Sequence, residues 1–348
     1  LMLLTAAGEF DDAQQRRLAW CVALAEQAAP LLHSAEQTRW LQRLEPERYN
    51  FFTAIHFSIT QHDIFSAIRI VVALRHFFVA RGHLAEIAPW LGSIEKEATS
   101  VSIPPELWAR FLNCKGTVVF YLAHYEQAGA CFLSALAAAE EAGDRREIAY
   151  AFDGLGAQAV NSGQLDSARV FSETSLQHST EIGDHWLAGI ALMNLGEIAR
   201  IQGDLDGAAV HYRASLEQLQ RVGDPYFIAV AEINLGQVHL LQGDAAQAEA
   251  VLQRALAAGL QSESAQVVAS ALERLAGVLQ TRNVVAAGRL FSLAQGLRHA
   301  SGVGVQPVDR NDYDHLMTGL SDSPDSEAYN IGVRMDWAVM KVVVSMTG

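Results

Sequence analysis

Residues 193–224 read MNLGEIARIQGDLDGAAVHYRASLEQLQRVGD, and the pattern returns forty residues later, beginning at Ile233. The same period links NCKGTVV, DGLGAQA, MNLGEIA and INLGQVH, which carry Gly116, Gly156, Gly196 and Gly236. An alanine follows twelve residues after each of these glycines, at Ala128, Ala168, Ala208 and Ala248. Two further markers keep the period: Gly163, Gly203 and Gly243, and the Gly-Asp pairs that begin at Gly143, Gly183 and Gly223. Four features at one period indicate an internal repeat, so the repeat unit decides the fold.

Each repeat unit reads as two helices joined by a short turn. In one unit, residues 145–161 and 165–182 carry apolar side chains at helical spacing, with Gly163 at the turn between them. Gly183 follows the second helix, where glycine relieves the strain of a left-handed residue. Asp184 comes next, and its carboxylate can accept hydrogen bonds from the free N–H groups of the following helix.

The glycines of the Gly196 type need another explanation, because they fall inside the first helix of each unit. Glycine there costs about 1 kcal/mol relative to alanine. We expect this cost to be offset by close approach of the second helix. A large side chain follows four residues after the repeat alanine at Phe132, Tyr212 and Leu252, whereas Ser172 takes this place in one repeat.

This alternation of small and large residues resembles the tetratricopeptide repeat (TPR), with Ala135, Ser175, Ser215 and Ala255 at its last small position. The resemblance implies an all-α, right-handed α-solenoid of antiparallel helix hairpins, a TPR-like superhelix. We predict degenerate helical pairs over residues 1–105, five repeats of about forty residues over 106–304, and a C-terminal capping segment over 305–348. The fifth repeat needs a one-residue deletion near Asn283 to bring Ala287 into phase, and Arg75–Leu91 reads as a helix pair around Gly82.

Both ends of the chain resemble a more specific class. Near the start, the resemblance is carried by LAEQAAP, AEQTRWLQRLEPERYNFFTAI and ALRHFFVARGHLAEIAPWL. Near the end, it is carried by AAGRLFSLAQGLRHASGV, YDHLMTGL and AYNIGVRMDWAVM. Both ends resemble the sensor region of bacterial STAND-class regulators of the LuxR and antibiotic-regulator types. This resemblance implies a sensor or protein-docking role. Those regulators carry a P-loop ATPase and often a DNA-binding helix-turn-helix, but this chain contains no GxxxxGK[ST] motif, so any such module would lie on flanking residues. Because the chain begins at Leu1, two interpretations stay open: a fragment of a larger regulator or a stand-alone protein.

Composition excludes several classes of function. The chain has 348 residues and a net charge of −14, with no run of Lys or Arg, which argues against direct nucleic-acid binding. No apolar stretch is long enough to span a bilayer, and Leu1–Leu4 is too short for a signal peptide. The three cysteines have no CxxC spacing, so we expect small buried thiols in a cytoplasmic protein.

Chemistry-bearing motifs are missing from the sequence as well. Twelve histidines form no HExxH motif or other metal-ligand spacing, and no GxSxG elbow occurs. We therefore predict no enzyme activity, no metal and no cofactor.

A binding surface follows from the repeat geometry, because the first helix of each TPR pair lines the concave side. The positions predicted to be exposed there lie two and three residues before the repeat glycine and one residue after it. They are Asn113, Thr117, Asp153, Met193, Asn194, Glu197, Ile233, Asn234 and Gln237, with Arg110 and Arg274 extending the row. Asparagine amides can pair with the N–H and C=O of an extended peptide. Alternatively, these asparagines bond a neighbouring loop. Apolar character is added by Phe120, Tyr121, Ile201, Leu240 and Leu241, which fits either a partly hydrophobic ligand or a C-terminal segment that folds back onto this face.

From these observations we predict a non-catalytic sensor domain of a transcriptional regulator. It would bind a peptide, a protein or a small inducer on the concave face. The alternative is a stand-alone TPR scaffold for protein–protein interaction.

Overall fold

The computed structural model describes residues 10–301, 304–305, 309–310, 313–315 and 318. All regular structure in these residues is helical, which confirms the predicted all-α class. Most of the predicted capping segment 305–348 and all of Leu1–Leu4 lie outside the described residues. None of the described helices combines the length and the hydropathy that crossing a bilayer requires.

Contacts divide the chain into two compact units. The first unit comprises the described residues up to Val79 together with His83–Ala151, and the second comprises Ala80–Gly82 and the described residues from Phe152 onward. The division into segments ending at residues 105 and 304 stays a prediction.

The first unit begins with shorter, less regular helices. They are α1 (Phe10–Ala28), α2 (Gln37–Leu44), α3 (Arg48–Thr60), α4 (Ile64–Ala73), α5 (Arg75–Arg81) and α6 (Leu84–Ala98). Helix α1 packs on α3 and α4, and α4 contacts α7 (Pro105–Tyr121). The hairpin of α7 and α8 (Tyr125–Ala142) follows, and α9 (Arg145–Asn161) runs from the first unit into the second. The predicted helix pair around Gly82 is confirmed by α5 and α6.

The second unit is a series of helix hairpins. After α9 come α10 (Leu165–Glu181), α11 (His185–Ile201), α12 (Leu205–Val222), α13 (Pro225–Leu241), α14 (Ala245–Ser262), α15 (Ala265–Leu279) and α16 (Val284–Ser301). Each helix from α10 to α15 packs against the next one in the chain, and α13 also contacts α11 and α15. The predicted array of antiparallel hairpins is therefore confirmed.

Turns and caps repeat with the sequence. Gly183 has a φ of +69°, and the Asp184 carboxylate accepts a hydrogen bond from Leu187 N at 3.0 Å. The geometry persists where the glycine is replaced, since Ala123 and Glu263 also adopt φ of +64° and +54°. The left-handed conformation is imposed by packing of the flanking helices, because L-residues avoid it.

The glycines inside the first helices lie against large side chains of the second helices. A Cβ added at Gly196 would lie 2.8 Å from Cε1 of Tyr212, and one at Gly236 would lie 2.7 Å from Cδ2 of Leu252. At Gly156 the nearest atom would be the Ser172 hydroxyl oxygen at 2.6 Å. The absence of a side chain is what lets the two helices of each hairpin approach this closely.

The cysteines are buried with free thiols, as predicted. Burial raises the pKa of both Cys21 and Cys114 to about 12, so these thiols stay protonated at neutral pH.

Candidate functional site

The first helices of the second unit form one continuous surface. We call the surface of α11, α13 and α15 the first-helix face, because these helices contact one another across successive hairpins. On these helices, the position of the repeat glycine marks the side turned toward the second helix. The helical period then decides which other residues lie on that side and which are accessible.

Positions three residues before the repeat glycine are buried, which corrects the prediction that they are exposed. Asn113, Met193 and Ile233 are 0%, 7% and 3% exposed, and Asp153 is buried too. A separation of three residues places two side chains on the same side of a helix. These side chains therefore share the glycine's side and point into the packing between helices.

Two of the predicted polar residues bridge neighbouring first helices. In the first unit, the Asn113 amide nitrogen donates to the Glu147 carboxylate at 2.9 Å. In the second unit, the Asn194 amide nitrogen donates to Asp153 Oδ1, also at 2.9 Å. These two asparagines therefore bond to the neighbouring helix α9, and neither bonds to a loop. Asn234 is part-exposed, and its side chain makes no hydrogen bond to any described residue.

Asp153 has a carboxyl group with a raised pKa. It is buried, and loss of solvation raises the pKa of its carboxyl to about 7. The hydrogen bond from Asn194 persists whether this carboxyl is protonated or not, because Oδ1 can accept in both forms.

The other predicted residues lie in different surroundings. Thr117 is buried, and its hydroxyl donates to the Asn113 carbonyl oxygen at 2.8 Å. Gln237 is also buried, whereas Glu197 is part-exposed. Arg110, in the first unit, is paired with Glu106 at 2.7 Å. Both residues also reach beyond their own helix α7, since Arg110 lies 3.4 Å from Asp144 and the Thr117 hydroxyl lies 3.1 Å from the Tyr150 hydroxyl.

Arg274 belongs to a cluster that the sequence did not reveal. The arginine–carboxylate cluster contains three arginines and three carboxylates: Arg200, Arg274, Arg298, Glu197, Glu273 and Asp309. Arg298 binds Glu273 through both carboxylate oxygens, with Nε–Oε1 and Nη2–Oε2 distances of 2.5 and 2.7 Å. Arg200 pairs with Glu197, whose other oxygen accepts from the Tyr212 hydroxyl at 2.6 Å.

Asp309 joins the two halves of this cluster. Its Oδ1 lies 3.0 Å from Arg274 Nη2 and 3.6 Å from Arg200 Nη2, although these arginines lie on α15 and α11. Burial opposes the charge on Arg200, but the carboxylates of Glu197 and Asp309 outweigh this effect and raise its pKa. Arg200 therefore stays charged at neutral pH.

A cavity of about 370 Å³ opens beside the cluster. Leu240 and Leu241 of α13 give it an apolar wall, and Glu273 and Arg274 of α15 give it a charged one. Val305, Asp309, Tyr313 and His315 line the remaining side. The cavity thus offers both apolar and charged groups to a ligand.

Sequence reasoning missed four members of the cluster: Arg200, Glu273, Arg298 and Asp309. A signal for Arg200 was present, because the position four residues after the repeat glycine is otherwise Phe120, Val160, Leu240 and Gln280. A charged residue at a repeat position that is otherwise uncharged indicates that Arg200 has a role specific to its own repeat. No comparable signal marks Asp309, which lies outside the repeats.

Comparison with known proteins identifies the fold. Residues 106–315 match the family described as the MalT-like TPR region. No curated protein matches the chain. The chain is similar to the crystal structure of a Rap protein complexed with competence and sporulation factor, with a TM-score of 0.65 and 10% identity over 96% of this chain and 100% of that one.

A second solved structure is also similar, the Rap conjugation gene regulator of the plasmid pLS20 in complex with the Phr* peptide. Its TM-score is 0.55, with 11% identity over 86% of this chain and 98% of that one. At such low identity these two structures support the fold alone. The family match covers more than half of the chain, and the chain therefore belongs to the MalT-like TPR family.

Proposed function

We propose that this chain is a binding domain whose first-helix face holds an extended peptide, or an extended segment of a protein partner. The observation that carries this proposal is the cavity beside α13 and α15, which combines an apolar wall with buried charged groups on one continuous helical surface. Binding sites are typically concave and mostly apolar, with a few placed polar groups that fix orientation.

Groups on the first-helix face, both inside and outside the cavity lining, suit a peptide in particular. The Asn234 amide carries both a donor and an acceptor, which match a peptide's C=O and N–H groups. Leu241 is 45% exposed beside the cavity and can cover apolar side chains of a ligand. Arg274 can bind a carboxylate. Of the two similar Rap structures, one is a complex with competence and sporulation factor and the other a complex with the Phr* peptide, which agrees with this proposal.

We further propose that binding serves a regulator. Both termini of the sequence resemble the sensor regions of STAND-class regulators, and the family match is to a MalT-like TPR region. In this proposal, an occupied first-helix face packs differently against an ATPase module on flanking residues. Such switching requires a ligand that binds one arrangement more tightly than the other.

The experiment selects peptides from a phage-displayed library of random dodecapeptides on the immobilised chain. Selected peptides are synthesised, and their dissociation constants are measured by fluorescence anisotropy. We expect Asn234→Ala to weaken binding by roughly 5- to 30-fold, because one or two hydrogen bonds at about 1 kcal/mol each are lost. Arg213→Ala on α12 is the control, since Arg213 is exposed on a second helix. Equal weakening by both variants, or no selected peptide at all, would refute the proposal.

A further inference from the structure

The carboxylate of Asp309 occupies a position that is formed by two separate helices. Arg200 extends from α11 and Arg274 from α15, and both guanidinium groups reach the same oxygen, Oδ1. The side chains of Arg200 and Arg274 are only 7% and 10% exposed. Together they form a buried cationic site that already holds one carboxylate.

Charge balance explains why an anion is needed there. Glu197 pairs with Arg200 and Glu273 pairs with Arg298, whereas Arg274 lies 3.9 Å from Glu273 and 3.0 Å from Asp309. Asp309 therefore supplies the closest carboxylate to Arg274 among the described residues. Removing Asp309 would leave three arginines facing two carboxylates, and a buried unpaired charge is strongly unfavourable.

Two neighbouring contacts hold Gly304 and Tyr313 against a helix of the second unit, α16. Arg298 Nη1 donates to the Gly304 carbonyl oxygen at 3.1 Å, and the Tyr313 ring lies 5.2 Å from the Phe291 ring. Val305, Asp309, Tyr313 and His315 also line the cavity beside Leu240. These four described residues, which follow α16 in the chain, thus contribute part of the wall of the proposed peptide site.

We propose that the Arg200–Arg274 site recognises a carboxylate of the peptide ligand, and that Asp309 occupies this site as an internal competitor until such a ligand displaces it. The inference rests on the proposed peptide-binding function and adds a ligand class, acidic peptides, and a means of regulation. Displacement exchanges one carboxylate for another, so the buried arginines are never left unpaired. A ligand without an acidic side chain or a free carboxyl end would have to leave Arg274 uncompensated and would bind poorly.

The magnitude follows from competition within one chain. The apparent affinity of a ligand equals its affinity for the open site multiplied by the fraction of molecules whose site is open. If Asp309→Asn weakens the internal contact tenfold, an acidic ligand should bind the variant up to about tenfold more tightly. The matched control is Asp314→Asn, which removes the same charge from the same segment. Asp314 is exposed and makes no ion pair with any described residue.

The probe is a fluorescein-labelled synthetic peptide with the sequence of residues 301–318, SGVGVQPVDRNDYDHLMT, added to the full chain and followed by fluorescence anisotropy. We expect it to bind Asp309→Asn at least about fivefold more tightly than wild type. Asp314→Asn should match wild type. A probe with asparagine at the position of Asp309 should bind Asp309→Asn no more tightly than wild type. The original probe should likewise show no gain in affinity for the double variant Asp309→Asn with Arg274→Gln. Circular dichroism confirms that each variant is folded.

Equal probe affinity for wild type and Asp309→Asn would refute the competition. The library peptides separate this failure from failure of the proposed function. Suppose that Asn234→Ala weakens binding of the library peptides, but that these peptides bind wild type and Asp309→Asn with equal affinity. Peptide binding then stands, and the role of Asp309 as an internal competitor is excluded. If neither the probe nor any library peptide binds Asp309→Asn, both proposals fail.

Discussion

Replacing Gly196 with alanine would place a methyl group 2.8 Å from Cε1 and 2.9 Å from Cδ1 of Tyr212. Tyr212 is fully buried, and its hydroxyl donates to Glu197 Oε2 at 2.6 Å. The ring cannot move away without stretching this hydrogen bond or separating α11 from α12. The substitution is therefore expected to destabilise the second unit, although alanine is normally the better residue inside a helix.

The magnitude is a difference between two effects. Alanine gains about 1 kcal/mol in helix propensity over glycine. Overpacking a filled core costs about 1–3 kcal/mol, and a strained hydrogen bond to a charged group adds about 1.5 kcal/mol. The net loss is about 2 kcal/mol, which corresponds to a decrease in Tm of roughly 4–8 °C for a unit of this size.

Gly296→Ala provides the matched control, because Gly296 lies inside α16 with no described atom within 4 Å of an added Cβ. Thermal and urea unfolding followed by circular dichroism at 222 nm should show Gly196→Ala less stable than wild type and Gly296→Ala slightly more stable. If both alanine variants gain stability, close packing at Gly196 does not explain the glycine.

The remaining predictions concern titration and turns. The Asp153 carboxyl has a folded pKa of about 7 against an ordinary 3.8, so the folded state binds more protons between these pH values. The free energy of unfolding should therefore fall by roughly 4 kcal/mol as the pH rises from about 4 to about 7. Asp153→Asn should lose this slope in urea titrations and exceed wild type at pH 8, whereas an unchanged slope would contradict the assignment. Ala123→Gly should stabilise the protein by about 1 kcal/mol and Gly163→Ala should destabilise it equally, because both residues have positive φ. Thermal melts that move both variants in the same direction would contradict this explanation of the turns.

The architecture was predictable because it depends on small residues at fixed spacing. Gly156, Gly196 and Gly236 predicted both the hairpins and their close packing, and the Gly-Asp pairs predicted where helices end and begin. Helix α10 ends at Glu181, next to the predicted bound of residue 182. These features are local, and the repeated period makes each one visible several times.

The site was less predictable, because burial depends on the angle at which neighbouring hairpins pack. The sequence could not tell Met193, which is buried, from Asn194, which is part-exposed, since they are adjacent on one helix. Asp309 is about 35 residues away in sequence from Arg274 and more than 100 from Arg200. Such contacts between the repeats and the segment after them follow from tertiary packing and leave no periodic signal.

The location of a bound peptide tests the proposed binding face most directly. A selected library peptide carrying a photoreactive benzoylphenylalanine is irradiated with the chain, and the crosslinked residues are identified by mass spectrometry. We expect crosslinks on α11, α13 and α15, concentrated near Asn234, Leu241 and Arg274. Crosslinks confined to the second helices α10, α12 and α14 would contradict binding on the first-helix face.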